Sequence, residues 1–265
     1  MMDIWTEKIK IRFASVDRSD RLTLWSIFNY FQEAAISHAT ELGVGREAMA
    51  SQGQAWILSR LSLFVGRRPA YGENIELSTW PRRWEKLFAL RDYSIRGERG
   101  DVLARARSGW LILDTEKRRP LRPQAVADSI PPNDGVDAFP GSPESLDRRN
   151  KLQQVSGRVA LYSDIDYYGH ANNARYIQWV QDVTDIDILT KADQIRFDIN
   201  YLSEVMPGDT VELWTAPIIE ESREGENYPA SPGPGFAYEG RRPGTEHAMF
   251  RAELRTGTNY EKTGN

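Results

Sequence analysis

The chain repeats itself, and that repeat limits what it can fold into more than any other feature. With Asp17 set against Asp166, the two halves superpose without gaps around the start of a helix. Phe28 falls on Ile177, Phe31 on Val180, Gln32 on Gln181 and Glu33 on Asp182. Further along, Pro69-Ala70-Tyr71-Gly72-Glu73 echoes Met206-Pro207-Gly208-Asp209. A repeat of roughly half the chain means a duplicated fold. Each copy orders as strand, polar loop, long helix, then strands separated by short turns. That order predicts an α+β layer, a curled antiparallel sheet around one helix.

In the first copy Ile9, Ile11 and Phe13 alternate as a half-buried strand, and Leu24, Ile27, Phe28, Phe31 and Ala35 recur at helical spacing. The helix is expected to end near Gly43 or Gly45, where glycine can take the left-handed cap conformation. Strands are expected near Trp56–Val65, Ile75–Trp80, Leu90–Ile95 and Val102–Leu113, between turn signals at Pro69–Gly72, Pro81 and Gly97–Gly100. In the second copy a strand at Gly157–Leu161 leads into loop and helix over Tyr162–Val183. Strands follow at Ile195–Leu202, Thr210–Ala216 and Ala248–Leu254. From Asp114 to Asn150 Pro, Gly, Asp and Arg dominate without periodicity, the texture of a linker. We therefore expect an N-terminal unit over 1–125, a linker over 126–150 and a C-terminal unit over 151–262. Glu221–Pro234 is expected to be an extended hairpin tip.

Composition narrows the chemistry. There is no Cys, which excludes disulfides, thiolate metal sites and a cysteine nucleophile, and suits a reducing compartment. With only His38, His170 and His247, a metal centre is not expected. The start, MMDIWTEKIKIRF, lacks an apolar signal core, and no run approaches the ~18 apolar residues a membrane span needs. The expectation is a cytoplasmic protein with no membrane insertion. A net charge of −4 argues against general nucleic-acid binding.

The second copy carries the chemistry-bearing stretch. Within Tyr162–Val183, Ser163, Asp164, Asp166, Gly169 and His170 form a polar, turn-like run, and Asn172 and Asn173 stand before a helical pattern at Tyr176, Ile177, Val180 and Val183. Asparagine is a favoured helix cap. His170 is thus held just ahead of a helix N-terminus, where amides and the positive dipole end can stabilise developing negative charge. The first copy has Arg18, Ser19, Asp20 and Arg21 where the second has Tyr167, Tyr168, Gly169 and His170. One copy holds a titratable group at this place and the other does not, which leaves the first copy free to form a binding cavity.

These residues resemble a known family. Asp164-Ile165-Asp166 followed by Gly169-His170-Ala171-Asn172-Asn173-Ala174-Arg175-Tyr176-Ile177 is similar to the helix-start motif of plant and bacterial fatty acyl-ACP thioesterases, in the second of their two hotdog domains. Asn29-Tyr30-Phe31-Gln32-Glu33-Ala34-Ala35, Ser59-Arg60 in the Trp56–Val65 strand and Pro69-Ala70-Tyr71-Gly72-Glu73 resemble that family's first domain. The resemblance covers most of residues 5–215. It implies a tandem double hotdog and hydrolysis of the thioester between a fatty acyl chain and acyl carrier protein, without a cofactor. It also implies an acyl tunnel shaped mainly by the first domain, for which Leu24, Ile27, Phe28, Phe31 and Trp56 are candidates. The family's catalytic aspartate matches Asp166, its histidine His170 and its downstream glutamate Glu204. Its motif asparagine falls on Tyr168, and the cysteine plant members often carry after the glutamate falls on Val205. A phenol offers one O–H where asparagine offers both donor and acceptor, so whatever the asparagine does must be done differently.

A thioester carbonyl needs a nucleophile and a place for negative charge. The expectation is that Glu204 and His170 activate a water, with Glu204 as general base. Amides at the helix start, with Asn172 and Asn173 and the Tyr168 hydroxyl, would receive the oxyanion. Each residue also has an ordinary explanation: Asp166, Asn172 and Asn173 as caps, Glu204 as a solvated strand end, Tyr168 as packing. His38 reads as a core or rim residue and His247 as exposed. Carrier protein is acidic, so Arg67-Arg68, Arg82-Arg83 and Lys117-Arg118-Arg119 with Arg122 are candidate docking clusters. The alternatives are an acyl-CoA thioesterase of the same fold and a non-catalytic acyl-binding hotdog protein. Two fused hotdogs are compatible with a monomer or a homodimer.

Overall fold

The computed structural model describes residues 3–122, 126, 129–131, 133, 135–143, 145–219 and 234–257. The expected hairpin tip at Glu221–Pro234 lies outside the described residues except for Pro234. The first half comprises β1 (Trp5–Lys10), α1 (Leu24–Glu41), a short α2 (Arg46–Ser51), β2 (Gln54–Val65), β3 (Asn74–Glu85), β4 (Phe88–Gly97), β5 (Val102–Asp114) and β6 (Arg119–Leu121). The second has β7 (Gln153–Val159), α3 (Asn173–Val183), a short α4 (Ile186–Lys191), β8 (Gln194–Tyr201), β9 (Thr210–Ile218), β10 (Gly235–Arg241) and β11 (Ala248–Gly257). The sheet runs β1-β3-β4-β5-β2-β8-β11-β10-β9-β7, with β6 on the flank of β5. All first-half strands thus lie on one side and all second-half strands on the other. They join where β2 pairs antiparallel with β8, from Arg60 opposite Asn200 to Val65 opposite Ile195.

Each sheet half curls around its own helix, the double hotdog arrangement. Thr23 caps α1 by accepting from the Ser26 amide at 3.1 Å. The face of α1 with Leu24, Ile27, Phe28, Phe31, Ala34 and Ala35 is buried, and Phe31 stacks on Tyr93 of β4 with centroids 4.6 Å apart. The helix stops at Leu42, and Gly43 follows at φ +70°. Asn172 caps α3 through the Ala174 amide at 2.8 Å. The two helices touch: the Trp25 amide donates to Gln181 Oε1 at 2.8 Å, and the Arg175 guanidinium lies 5.4 Å from the Trp25 ring centre.

One strand was not expected from the sequence. β10 went unseen because its Gly and Glu residues break the apolar alternation. Gly240 is required there, since a Cβ would sit 2.0 Å from the Phe250 ring of β11. Over its described residues the stretch between the halves packs onto the fold. Its acidic and turn residues are pins: Asp137 pairs with Arg82 and Arg107 at 2.7 Å each, and the Ala138 amide donates to Asp92 Oδ2 at 2.8 Å. Asn133 and Phe139 are buried. Asp92 points away from its neighbour Tyr93, which faces α1, so this strap covers the outer face of the first-half sheet. It then reaches the second half, where the Leu146 amide donates to Asn200 Oδ1 and Arg149 pairs with Glu253.

Candidate active site

The loop ahead of α3 is a tight turn. The Gly169 amide donates to Asp166 O and the Asp166 amide to His170 O, both at 3.0 Å, with Gly169 at φ +87°. The left-handed conformation is one a side chain rarely takes, which fits glycine there. Asp166 Oδ1 accepts from the Tyr168 amide at 2.8 Å, so its carboxylate sets the turn that presents His170. His170 Nδ1 lies 3.3 Å from Ala171 O; a carbonyl only accepts, so Nδ1 is the donor, and in the neutral ring Nε2 carries the lone pair. The Ala171 amide donates to Val205 O at 2.8 Å, which ties the residue beside His170 to the residue beside Glu204.

One cavity of about 890 Å³ joins these groups to the first half, within the usual range for small-molecule sites. Its sheltered wall includes Ala35, Ala39, Leu42, Trp56, Leu58 and Leu90. Asp166, Tyr167, Tyr168, His170, Asn173 and Glu204 line its other end. Tyr168, Glu204 and Met206 are about half exposed, which marks that end as the mouth. Of the expected tunnel residues, Trp56 is on the wall. Leu24, Ile27, Phe28 and Phe31 are packed into the core instead, because the face of α1 that meets the cavity is the next one round, with Gln32, Ala35, Ile36 and Ala39.

Both halves build the mouth. Arg118, from the turn after β5, lies 3.5 Å from Glu204, and the Arg46 guanidinium at the start of α2 sits 4.2 Å from the Tyr167 ring centre. Tyr168 stacks on His170 with centroids 6.0 Å apart and planes 7° apart. Burial and the neighbouring Tyr167 push its phenol up, so it stays protonated. Position 168 therefore supplies an aromatic wall beside the histidine.

Asn172 and Asn173 divide the work at the helix start. Asn172 is the cap; the Ala174 and Arg175 amides are both taken by it, and the Asn172 amide donates to Asp164 O. The Asn173 amide has no acceptor among the described residues, and Asn173 lines the cavity. His38 is buried in the first half: Nε2 is 3.3 Å from Asp3 and Nδ1 faces Arg91 Nη1 at 3.2 Å.

The proposed docking clusters fare unequally. Arg68 is buried against Asp17 and Leu189 O, Arg82 is buried under the strap, and Arg67 pairs with Glu73. Of the candidates Arg82 and Arg118 line the cavity, Arg82 buried and Arg118 exposed at the mouth, joined there by exposed Arg46 and Arg242, which sequence reasoning missed because the mouth arginines are distant in the chain.

A tandem hotdog with a cavity running from an apolar wall to a carboxylate, a histidine and a helix start defines a class of thioesterase-like folds. Comparison with known proteins narrows it. Residues 2–130 match the acyl-ACP thioesterase N-terminal domain and residues 147–232 the acyl-ACP thioesterase C-terminal domain. The chain belongs to the acyl-ACP thioesterase family. It is 25% identical over 236 residues to a chloroplastic acyl-[acyl-carrier-protein] hydrolase of Cuphea viscosissima, covering 84% of this chain and 57% of the relative. It is 24% identical to the chloroplastic palmitoyl-acyl carrier protein thioesterase of Cuphea hookeriana, covering 80% and 54%. The chain thus spans little more than half the length of these relatives. Among solved structures it resembles an acyl-ACP thioesterase from Bacteroides thetaiotaomicron (TM-score 0.76, 25% identity, 96% of this chain and 97% of that one). The 12:0-ACP thioesterase of Umbellularia californica has the same fold (TM-score 0.77, 21% identity, 95% and 96% covered).

Proposed function

We propose that this protein hydrolyses the thioester of a fatty acyl chain on acyl carrier protein, releasing free fatty acid and the carrier thiol. The observation that carries this is the cavity, apolar where α1 and β2 wall it and polar where Glu204 and His170 meet solvent. The acyl chain lies along the first-half wall, and its thioester stops at the mouth. Glu204 takes a proton from water, whose oxygen adds to the carbonyl carbon. The carbonyl electron pair moves onto oxygen, and the resulting oxyanion is held by donors at the start of α3. Collapse re-forms the carbonyl and breaks the C–S bond, and the proton returns from Glu204 to the departing sulfur. His170, through Nε2, orients the water; Asp166 holds the turn that aims it. In this division the N-terminal unit binds the chain and the C-terminal unit does the chemistry.

Arg46, Arg118 and Arg242 around the mouth suit the acidic surface and phosphopantetheine phosphate of a carrier. We place the protein in the cytoplasm; no helix among the described residues is long and apolar enough to cross a membrane. The deciding experiment is hydrolysis of an acyl-ACP series by wild type and His170→Ala, with acyl-CoA of equal chain length alongside. Turnover that collapses in the variant is expected. Preference for the CoA donor would move the substrate class, and binding of acyl-ACP without turnover would make this an acyl-binding protein.

A further inference from the structure

The duplicated fold contains its own control for the site. The Ala171 amide donates to Val205 O as the Leu22 amide donates to Pro69 O, both at 2.8 Å. Val205 therefore stands where Pro69 stands, and Glu204 where Arg68 stands. Ten residues after the matched aspartates Asp17 and Asp166 come Ile27 in α1 and Tyr176 in α3. In the first copy Ile27 is fully buried and Pro69 has no N–H. In the second, the Val205 N–H donates to Tyr176 Oη at 3.2 Å. That hydrogen bond exists only in the copy that carries Glu204 and His170.

The bond uses the phenol oxygen as acceptor and leaves its proton over. Among the described residues nothing accepts it. Tyr176 is 2% exposed yet lines the cavity, and it lies one turn along α3 from Asn173, whose amide is also uncommitted. Residues i and i+3 share a helix face. Burial, with Glu204 and Asp166 nearby, pushes the phenol up although Val205 pulls it down, so it remains a donor.

We propose that Tyr176 is a catalytic residue whose O–H, with the Asn173 N–H, forms the oxyanion hole for the thioester carbonyl. The assignment rests on the thioesterase reading above. The ring packs against Trp179, Tyr201 and Phe250, as a phenyl ring would, so what packing leaves over is the hydroxyl. Val205 fixes the position of the oxygen, and Tyr176 lines the cavity in which the carbonyl oxygen becomes an anion as water adds. A preorganised donor of this kind is worth about 10²–10³ in kcat.

The test compares wild type and Tyr176→Phe on acyl-ACP. It adds the binding of two unreactive carriers, one with a ketone in place of the thioester and one with a thioether that lacks the carbonyl. Wild-type turnover establishes the reaction; its absence would overturn that reading irrespective of Tyr176. Given turnover, the expected result is a kcat about 100-fold lower in Tyr176→Phe with KM little changed. The ketone carrier should bind more weakly and the thioether carrier equally well. A kcat within about threefold of wild type, far short of the 10²–10³ typical of an oxyanion donor, would overturn the assignment. So would equal losses for ketone and thioether carriers, which would mark Tyr176 as packing alone. Melting of both proteins is followed throughout; should Tyr176→Phe not fold, the same comparison is made with a fluorinated tyrosine at 176, which strengthens the donor and should tighten only the ketone carrier.

Discussion

The two helix-start loops are the same object put to different uses. In both an aspartate carboxylate accepts the amide two residues on at 2.8 Å, Asp17 from Ser19 and Asp166 from Tyr168. In both the fourth turn residue is left-handed, Asp20 at φ +61° and Gly169 at +87°. In both a capping side chain opens the helix, Thr23 or Asn172. The difference lies in what stands opposite the loop. In the first copy Arg68 reaches in, pairs with Asp17 and donates to Leu189 O, so the loop is closed by a buried ion pair. In the second, Glu204 stands at the matched place and faces the cavity and Arg118 at its mouth. A duplicated scaffold became asymmetric by exchanging one buried cation for one half-exposed carboxylate.

The sharpest way to break this comparison is to truncate the matched pair. Glu204→Ala should lower kcat by about 10²–10⁴, the range of a general base, while leaving denaturant unfolding close to wild type. Arg68→Ala should do the reverse, costing about 1–3 kcal/mol of stability by leaving Asp17, still held by Ser19, without its counter-charge and sparing most turnover in the folded fraction. Equal stability losses in the two variants would show that both positions are structural.

A smaller effect tests the mouth. Arg242→Glu should raise KM for acyl-ACP several-fold at low ionic strength, with the difference fading as salt screens it. Arg67→Glu, whose parent side chain is already paired with Glu73, should not. If both variants behave alike, the mouth arginines are not the docking surface.

The halves should also differ in their response to acid. Burial and then the adjacent Arg91 hold His38 below its usual 6.5. A lowered histidine stays neutral in the fold and protonates when the chain unfolds. Its contribution is therefore present above pH 6.5 and lost as pH falls below it. His38→Gln, which keeps an acceptor for Arg91, should flatten the loss of stability between pH 7 and 5 in urea titrations. An unchanged slope would remove His38 from the acid response. The smallest effect is expected at Tyr168: Tyr168→Phe keeps the ring against His170 and loses a hydroxyl that faces Tyr167, so kcat and KM should move by about twofold at most. A larger fall in kcat would return a hydrogen-bonding role to position 168.

Much of the plan is local and therefore legible in the chain. Helical spacing at Leu24–Ala35, the capping Asn172, the glycine where a turn needs a left-handed residue, and the repeat itself depend on neighbours a few residues apart or on self-comparison. Those features predicted two curled sheets on two helices and drew attention to His170; the family resemblance added Asp166 and Glu204, and the fold gathers all three at one cavity. What the chain could not reveal depends on contacts between residues far apart. Which face of α1 meets the cavity was decided by how β2 and β4 curl against it, so Ala35 and Ala39, not Phe28 and Phe31, form its wall. The linker became a strap because buried Arg82 and Arg107, on strands distant in sequence, reach Asp137 within it. The phenol of Tyr176 read as one more apolar position, since its partner is a backbone amide at Val205, and no side-chain pattern encodes where a backbone donor will arrive.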